Sequence, residues 1–194
     1  MQRGDHPEQK TVRRAVFLAA SIVLTSCYLA VSYAPFLTPN DPSFIIRVVF
    51  TIRCLVVSLI PLIFGIGVIG TMRYYDMENM GANPVREKVT YKLDVAKRYL
   101  QNTLEQTIVH TVLQLSLSTF LPIVYFPLIP TFITLFVIGR FIFFIGYMDE
   151  KRPVNRALGF ALTWLTNVFS FLLCVVFLIW KGPFHNLKEH HLEL

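Results

Sequence analysis

The chain has 194 residues, of which 54% are hydrophobic and only 15% are charged. An ordinary globular domain is about 25% charged, so this composition excludes a soluble chain folded around a single core. The formal net charge is +6, but the basic residues flank apolar runs, which favours lipid headgroups over nucleic acid as their neighbours. The sequence therefore predicts an integral membrane protein whose main partner is the lipid bilayer.

Five apolar runs are long enough to cross a membrane as helices, which takes about 20 residues each. They cover residues 15–34, 54–72, 103–121, 130–147 and 157–180. The first run is too long for a cleaved signal peptide and ends at Pro35, which favours an uncleaved signal anchor. The predicted organisation is a tail (residues 1–14), an extra transmembrane helix (15–34), a four-helix membrane domain (54–180) and a second tail (181–194).

Basic residues are distributed unequally between the two sides of this five-span arrangement. Fourteen of the 18 Lys and Arg residues fall in the N-terminal tail, the 73–102 loop and the 140–156 segment, which share one side. The positive-inside rule then predicts a cytosolic N-terminus and a lumenal C-terminus. The last four residues, His191 to Leu194, loosely resemble an endoplasmic reticulum retrieval signal, so we expect that membrane or another of the secretory pathway.

A glycine string runs through the second predicted span. Gly65, Gly67 and Gly70 fit the G-x-G-x-x-G pattern of dinucleotide-binding folds, but no strand precedes them. Small residues in a membrane helix allow a neighbouring helix to approach closely. The string therefore predicts a helix contact rather than a nucleotide site.

Polar side chains concentrate where the third, fourth and fifth spans meet one membrane face. Ionisable groups in or beside a span are costly and face a protein interior or a cavity. Guanidinium, carboxylate, phenol and amide groups together complement a small zwitterionic or anionic molecule. The predicted site residues are Arg98, Asn102, Glu105, Arg140, Tyr147 and Arg156. The alternative is structural, with Glu105 pairing to Arg98 or Arg140 inside the bundle.

A polar stripe continues along the third span. Gln106, His110 and Gln114 are each four residues apart and therefore lie on one helix face. We interpret His110 as a histidine satisfied by a neighbouring helix rather than as a catalytic one.

Two strings in this region resemble a known family. Arg98-Tyr-Leu-Gln-Asn102-Thr-Leu-Glu105 matches the R-x-x-x-N-x-x-E signature of the membrane-associated proteins in eicosanoid and glutathione metabolism, the MAPEG family. Arg140-Phe-Ile-Phe143-Phe-Ile-Gly146-Tyr147 resembles the second signature of that family, and Arg156 begins a segment similar to its last helix. The resemblance covers roughly residues 54–180.

The resemblance implies a four-helix bundle that assembles as a homotrimer and binds glutathione between subunits near the cytosolic face. The six predicted site residues would line that pocket. Glu105 would receive the glutathione amine and the arginines its carboxylates. Arg156 is the candidate catalytic residue, because an arginine beside the thiol stabilises the reactive thiolate in the transferases.

Several features depart from the glutathione-binding members. Phe143 stands where they carry Tyr or His, Gln106 where some carry an aromatic residue, and Ala157 adds no hydroxyl beside Arg156. The extra first span resembles the mattrin-like branch, which is associated with trafficking and receptor quality control, including down-regulation of Frizzled receptors in Wnt signalling. We therefore expect a mattrin-like regulator of receptor maturation. The alternative is a microsomal glutathione transferase or peroxidase that acts on lipophilic electrophiles.

Overall fold

The structure is a computed structural model that describes residues 7–39, 43–77, 90–149 and 153–183. Within these ranges it is all-α, and the predicted all-α membrane bundle is confirmed. The start of the predicted N-terminal tail and residues 184–194, with the retrieval-like tetrapeptide, lie outside the described residues. Four helical stretches of the described chain are long and apolar enough to cross a membrane: Glu8–Tyr33, Phe44–Tyr75, Ile123–Met148 and Val154–Lys181.

Six α-helices form the described part of the chain. They are α1 (Pro7–Tyr33), α2 (Phe44–Ser58), α3 (Ile60–Tyr75), α4 (Tyr91–Phe120), α5 (Leu128–Met148) and α6 (Ala157–Lys181). The polar helix α4 contains the third predicted span, and the hairpin from α4 to α5 turns at a short 3-10 helix, Ile123–Tyr125, as the prolines around it predict.

Helices α2 and α3 form one stretch that is interrupted at Leu59. Pro61 lies in the first turn of α3, where its missing N–H and its ring interrupt the hydrogen-bond ladder of the preceding helix. The stretch begins at Phe44, before the predicted start of the span at residue 54. The predicted span starts directly after Arg53, whereas the helix includes both Arg53 and Arg47.

Helix α5 is the centre of the bundle, because all five other described helices pack against it, and α6 is the helix against which α1 packs most extensively. One core cluster joins Ala19 and Val23 of α1 to Ala161 and Leu162 of α6. This contact fixes the extra first helix against the four-helix domain. The end of the bundle where α1, α4 and α6 begin is called the mouth end below, and the opposite end is called the far end.

The glycine string makes one close contact. A Cβ added at Gly65 would lie 3.1 Å from Cε1 of Tyr99 and 3.2 Å from Cδ1 of Leu100, so α3 approaches α4 closely there. A Cβ at Gly67 or Gly70 would meet nothing within 4 Å. Only the first glycine of the string therefore serves the packing of α3 on α4.

Arg47 holds the far end of α4 together. Its Nη2 donates hydrogen bonds to the carbonyl oxygens of Ser118 at 2.7 Å and Leu121 at 2.5 Å. Carbonyls at a helix C-terminus have no partner within the helix, and the following Pro122 offers no N–H. The side chain is only 8% exposed, so it serves as a buried cap for α4.

Replacing Arg47 by methionine is expected to lower the stability of the bundle by about 1.5 kcal/mol, because charge-assisted hydrogen bonds to buried carbonyls are lost. The measurement is thermal unfolding of the purified protein in detergent. Arg53→Met is the matched control, since Arg53 is exposed on the same helix. Equal unfolding temperatures for the two variants would contradict the capping role.

Candidate functional site

A cavity of about 1050 Å³ opens at the mouth end of the bundle. Its walls come from α1, α4, α5 and α6 and from the 3-10 turn Pro153–Arg156 that precedes α6. Five of the six predicted site residues line this one cavity: Arg98, Asn102, Glu105, Tyr147 and Arg156. The topology thus brings together side chains that lie far apart in the sequence.

Helix α4 supplies a polar wall whose charges pair along their own helix. Nε of Arg98 donates to Oδ2 of Asp94 at 2.8 Å, and Oε1 of Glu105 accepts from Nε2 of Gln101 at 2.8 Å. The alternative pairing of Glu105 with Arg98 or Arg140 is not the arrangement seen. Exposed pairs one helical turn apart contribute little stability, so a ligand can replace them at small cost.

Arg98 lies before the third predicted span, and its surroundings keep it cationic. The hydrogen bond that Arg98 donates to Asp94, and then the negative charge of that carboxylate, raise the pKa of Arg98 above its ordinary value. The side chain is 67% exposed, and it is therefore accessible to an anionic group that enters the cavity.

Arg140 is the predicted site residue that does not line the cavity. It is fully buried, and its guanidinium lies 4.3 Å from the centre of the Phe143 ring. Its Nη1 donates to Oδ1 of Asn102 at 2.9 Å. Among the described residues its Nε and Nη2 have no hydrogen-bond acceptor. Arg140 therefore lies behind the side chains that line the cavity. It contacts the cavity-lining residue Asn102 and not the cavity itself.

Arg156 lines the cavity over Tyr147. Its guanidinium carbon is 4.6 Å from the centre of that ring. The contact depends on Gly146, because a Cβ there would lie 2.5 Å from the backbone nitrogen of Arg156. Glycine at this position lets the turn before α6 lie directly against α5 and brings the guanidinium to the phenol.

The remaining walls are mostly apolar and were missed by the sequence analysis. Phe160, Ala161 and Trp164 of α6 form the floor, and Val12 and Val16 of α1 form a wall opposite α4. Their spacing in the sequence was enough to predict that the α6 residues share one helix face and that the α1 residues share another. Nothing in the sequence indicated that the face of α1 would meet the same cavity as the motifs.

The polar stripe of α4 leads away from the cavity and joins α4 to α6. Nδ1 of His110 lies 2.8 Å from Oδ1 of Asn167, and Nδ2 of Asn167 donates to Oε1 of Gln106 at 3.0 Å. Nε2 of Gln114 donates to Oγ of Ser170 at 3.1 Å. Interhelical hydrogen bonds of this kind stabilise membrane bundles, which agrees with a structural role for His110.

The cavity combines guanidinium, carboxylate, amide and phenol groups on one side with apolar side chains on the other. Such a surface suits a ligand that has both a charged part and an apolar part. The fold and this cavity define a multi-pass helical membrane protein with an amphipathic cavity at one end.

The chain belongs to the MAPEG family, since the family model matches residues 48–176. Over 160 residues it is 27% identical to transmembrane protein 79 of Bos taurus and 26% identical to that of Mus musculus. The aligned part is 81% of this chain but 39% of each relative, so the chain spans about two fifths of the curated relatives' length. No solved structure matches the chain.

Proposed function

We propose that this protein is a mattrin-like regulator in a membrane of the secretory pathway, such as the endoplasmic reticulum. It acts on the trafficking or maturation of membrane receptors, and Frizzled receptors are the first candidates. Its N-terminus is cytosolic, its C-terminus lumenal, and the MAPEG core assembles as a homotrimer. The observation that carries the proposal is the similarity to transmembrane protein 79, which is mattrin, and this similarity extends across 81% of the chain.

The composition of the cavity supports a regulatory role over a conjugating one. Phe143 covers Arg140 with an aromatic ring at the position where the resemblance calls for a hydrogen-bonding side chain. Ala157 leaves Arg156 without a neighbouring hydroxyl. A glutathione tripeptide would thus lose polar contacts that a transferase needs to orient it.

A second candidate function rests on a different observation. Arg98, Asn102, Glu105, Tyr147 and Arg156 line one open cavity with an apolar floor. This set suits glutathione beside a lipophilic electrophile, with the Arg156 guanidinium stabilising the thiolate. The alternative is therefore a microsomal glutathione transferase or peroxidase.

Expression of the protein with a Frizzled receptor is expected to lower the amount of receptor at the cell surface, measured by flow cytometry. Arg156→Ala is expected to keep this effect, because no conjugation is involved. An unrelated multi-pass receptor in the same cells is the control. An unchanged surface level of Frizzled would contradict the proposal.

Thermal unfolding of the purified protein with glutathione tests the second candidate function, the transferase. Glutathione at 100 times its dissociation constant would stabilise the protein by about 2.7 kcal/mol, which is visible as a thermal shift. If the cavity is a transferase site, the shift disappears in Glu105→Gln, and Arg156→Ala abolishes conjugation while assembly is retained. No shift with millimolar glutathione would exclude the transferase.

A further inference from the structure

The first helix forms a wall of the cavity although it lies outside the family match. The family model begins at residue 48, whereas α1 covers Pro7–Tyr33. Glu8, Val12 and Val16 of α1 nevertheless line the cavity. They are spaced four residues apart and therefore lie on one face of the helix. The cavity of this chain thus has a side that the MAPEG core does not provide.

The orientation of that face is fixed by packing deeper in the bundle. Ala19 and Val23 are 0% and 3% exposed, and they pack against Ala161 and Leu162 of α6. They continue the stripe begun by Val12 and Val16 along the same helix face. Val12 and Val16 remain 42% and 38% exposed because they face the cavity instead of a neighbouring helix. Rotation of α1 away from the cavity would break the buried contact.

The two long walls of the cavity differ in chemistry. The wall from α4 presents Arg98, Asn102 and Glu105, whereas the wall from α1 presents the two valines with Glu8 at the mouth. The floor between them is formed by α6, with Phe160 and Trp164. A ligand that fills this space must therefore place a polar head against α4 and an apolar chain between α1 and α6.

We infer that α1 is a specificity-determining wall that selects single-chain amphiphiles with an anionic head. Arg98 and Arg156 bind the head, while Val12 and Val16 hold the chain against Phe160 and Trp164. The inference goes beyond the proposed function, because it takes the cavity as a ligand site, which the receptor role does not require. A wholly hydrophilic molecule leaves the valine wall and the aromatic floor uncovered, and so gains less from binding.

Tryptophan fluorescence provides a direct test, because the chain has two tryptophans. Trp164 lines the cavity, and Trp180 is 78% exposed near the far end of α6. Trp180→Phe thus leaves a reporter in the cavity. The probe is dodecane sulfonate that carries bromine, a quencher, on its last carbon, added to the protein in phosphatidylcholine nanodiscs. We expect saturable quenching that unbrominated dodecane sulfonate reverses and that the trimethylammonium analogue of the probe does not produce.

Variants of α1 show whether its wall is responsible. In the Trp180→Phe background, Val16→Phe is expected to weaken the apparent affinity at least about tenfold, or 1.4 kcal/mol. Leu18→Phe is the matched control and is expected to change it little, because Leu18 is 51% exposed on another face of the same helix. Val12→Phe, one turn nearer the mouth, repeats the test if Val16→Phe does not fold.

Two results would overturn the inference. Quenching that rises linearly with probe concentration would show simple partitioning into the bilayer. Equal losses of affinity in Val16→Phe and Leu18→Phe would show that the valine face has no special role. The receptor assay is independent of both results, so failure of the α1 wall and failure of the receptor function are distinguishable.

Discussion

Replacing Gly159 by alanine is expected to destabilise the bundle by about 3 kcal/mol, at the upper end of the cost of overpacking a core. A Cβ at this position would lie 2.6 Å from both the carbonyl oxygen of Gly139 and Cα of Phe143. These are backbone atoms, so no side-chain rotation relieves the clash. Helices α5 and α6 would have to separate along their contact.

The same separation would disturb the cavity. Phe143 is the residue of α5 nearest to the added methyl group, and its ring both lines the cavity and covers Arg140. Gly139 is equally tight, since a Cβ there would lie 2.7 Å from Oγ1 of Thr163. Close contact through small residues thus fixes the position of the cavity wall.

The measurement is thermal unfolding in detergent, with Gly67→Ala as the matched control. Gly67 also lies in a membrane helix, but a Cβ there would meet nothing within 4 Å. Gly67→Ala is therefore expected to unfold at or above the temperature of the unmodified protein. If the two alanine variants unfold at the same temperature, the α5–α6 contact is not as tight as the structure indicates.

The sequence predicted the fold class because the bilayer imposes a simple rule. A long apolar run must form a helix, since lipid cannot satisfy its backbone polar groups. Counting only uncharged residues starts the second span at residue 54, whereas the helix itself begins at Phe44. Such a count treats any arginine as a boundary, whereas Arg47 enters the bundle by donating to the carbonyls at the end of α4. Whether a charge ends a helix depends on a partner that is distant in the sequence.

The candidate site was predictable to the extent that its residues lie in the family motifs. Arg98, Asn102 and Glu105 share a helix, and their spacing alone places them near one another. The wall from α1 was not predictable, because it depends on how Ala19 and Val23 pack against α6. Nor did helical spacing show that Arg140 would lie behind the wall while Arg156 lies over Tyr147.

Arg140→Met is expected to stabilise the ligand-free bundle by about 1–4 kcal/mol, the range found when buried ion pairs are replaced by apolar side chains of similar volume. The guanidinium is fully buried, and in the described chain two of its nitrogens have no acceptor. Methionine has a similar length and keeps the contact with the Phe143 ring without that desolvation cost. The measurement is thermal unfolding of the ligand-free protein, with Arg140→Lys as control. Lysine retains a charge but not the planar group that stacks on Phe143, and it is expected to destabilise the bundle.

Binding should change in the opposite direction. Nη1 of Arg140 holds Oδ1 of Asn102, which leaves the amide nitrogen as the group that Asn102 offers to a ligand. Arg140→Met frees that amide to rotate, so the bromine quenching of Trp164 by the sulfonate probe should weaken even as the unfolding temperature rises. If Arg140 positions Asn102, the substitution raises the unfolding temperature and weakens binding of the probe. If Arg140 is purely structural, the substitution lowers the unfolding temperature and leaves binding unchanged. A variant less stable than the unmodified protein would show that the stacking and the single hydrogen bond outweigh the desolvation of the guanidinium.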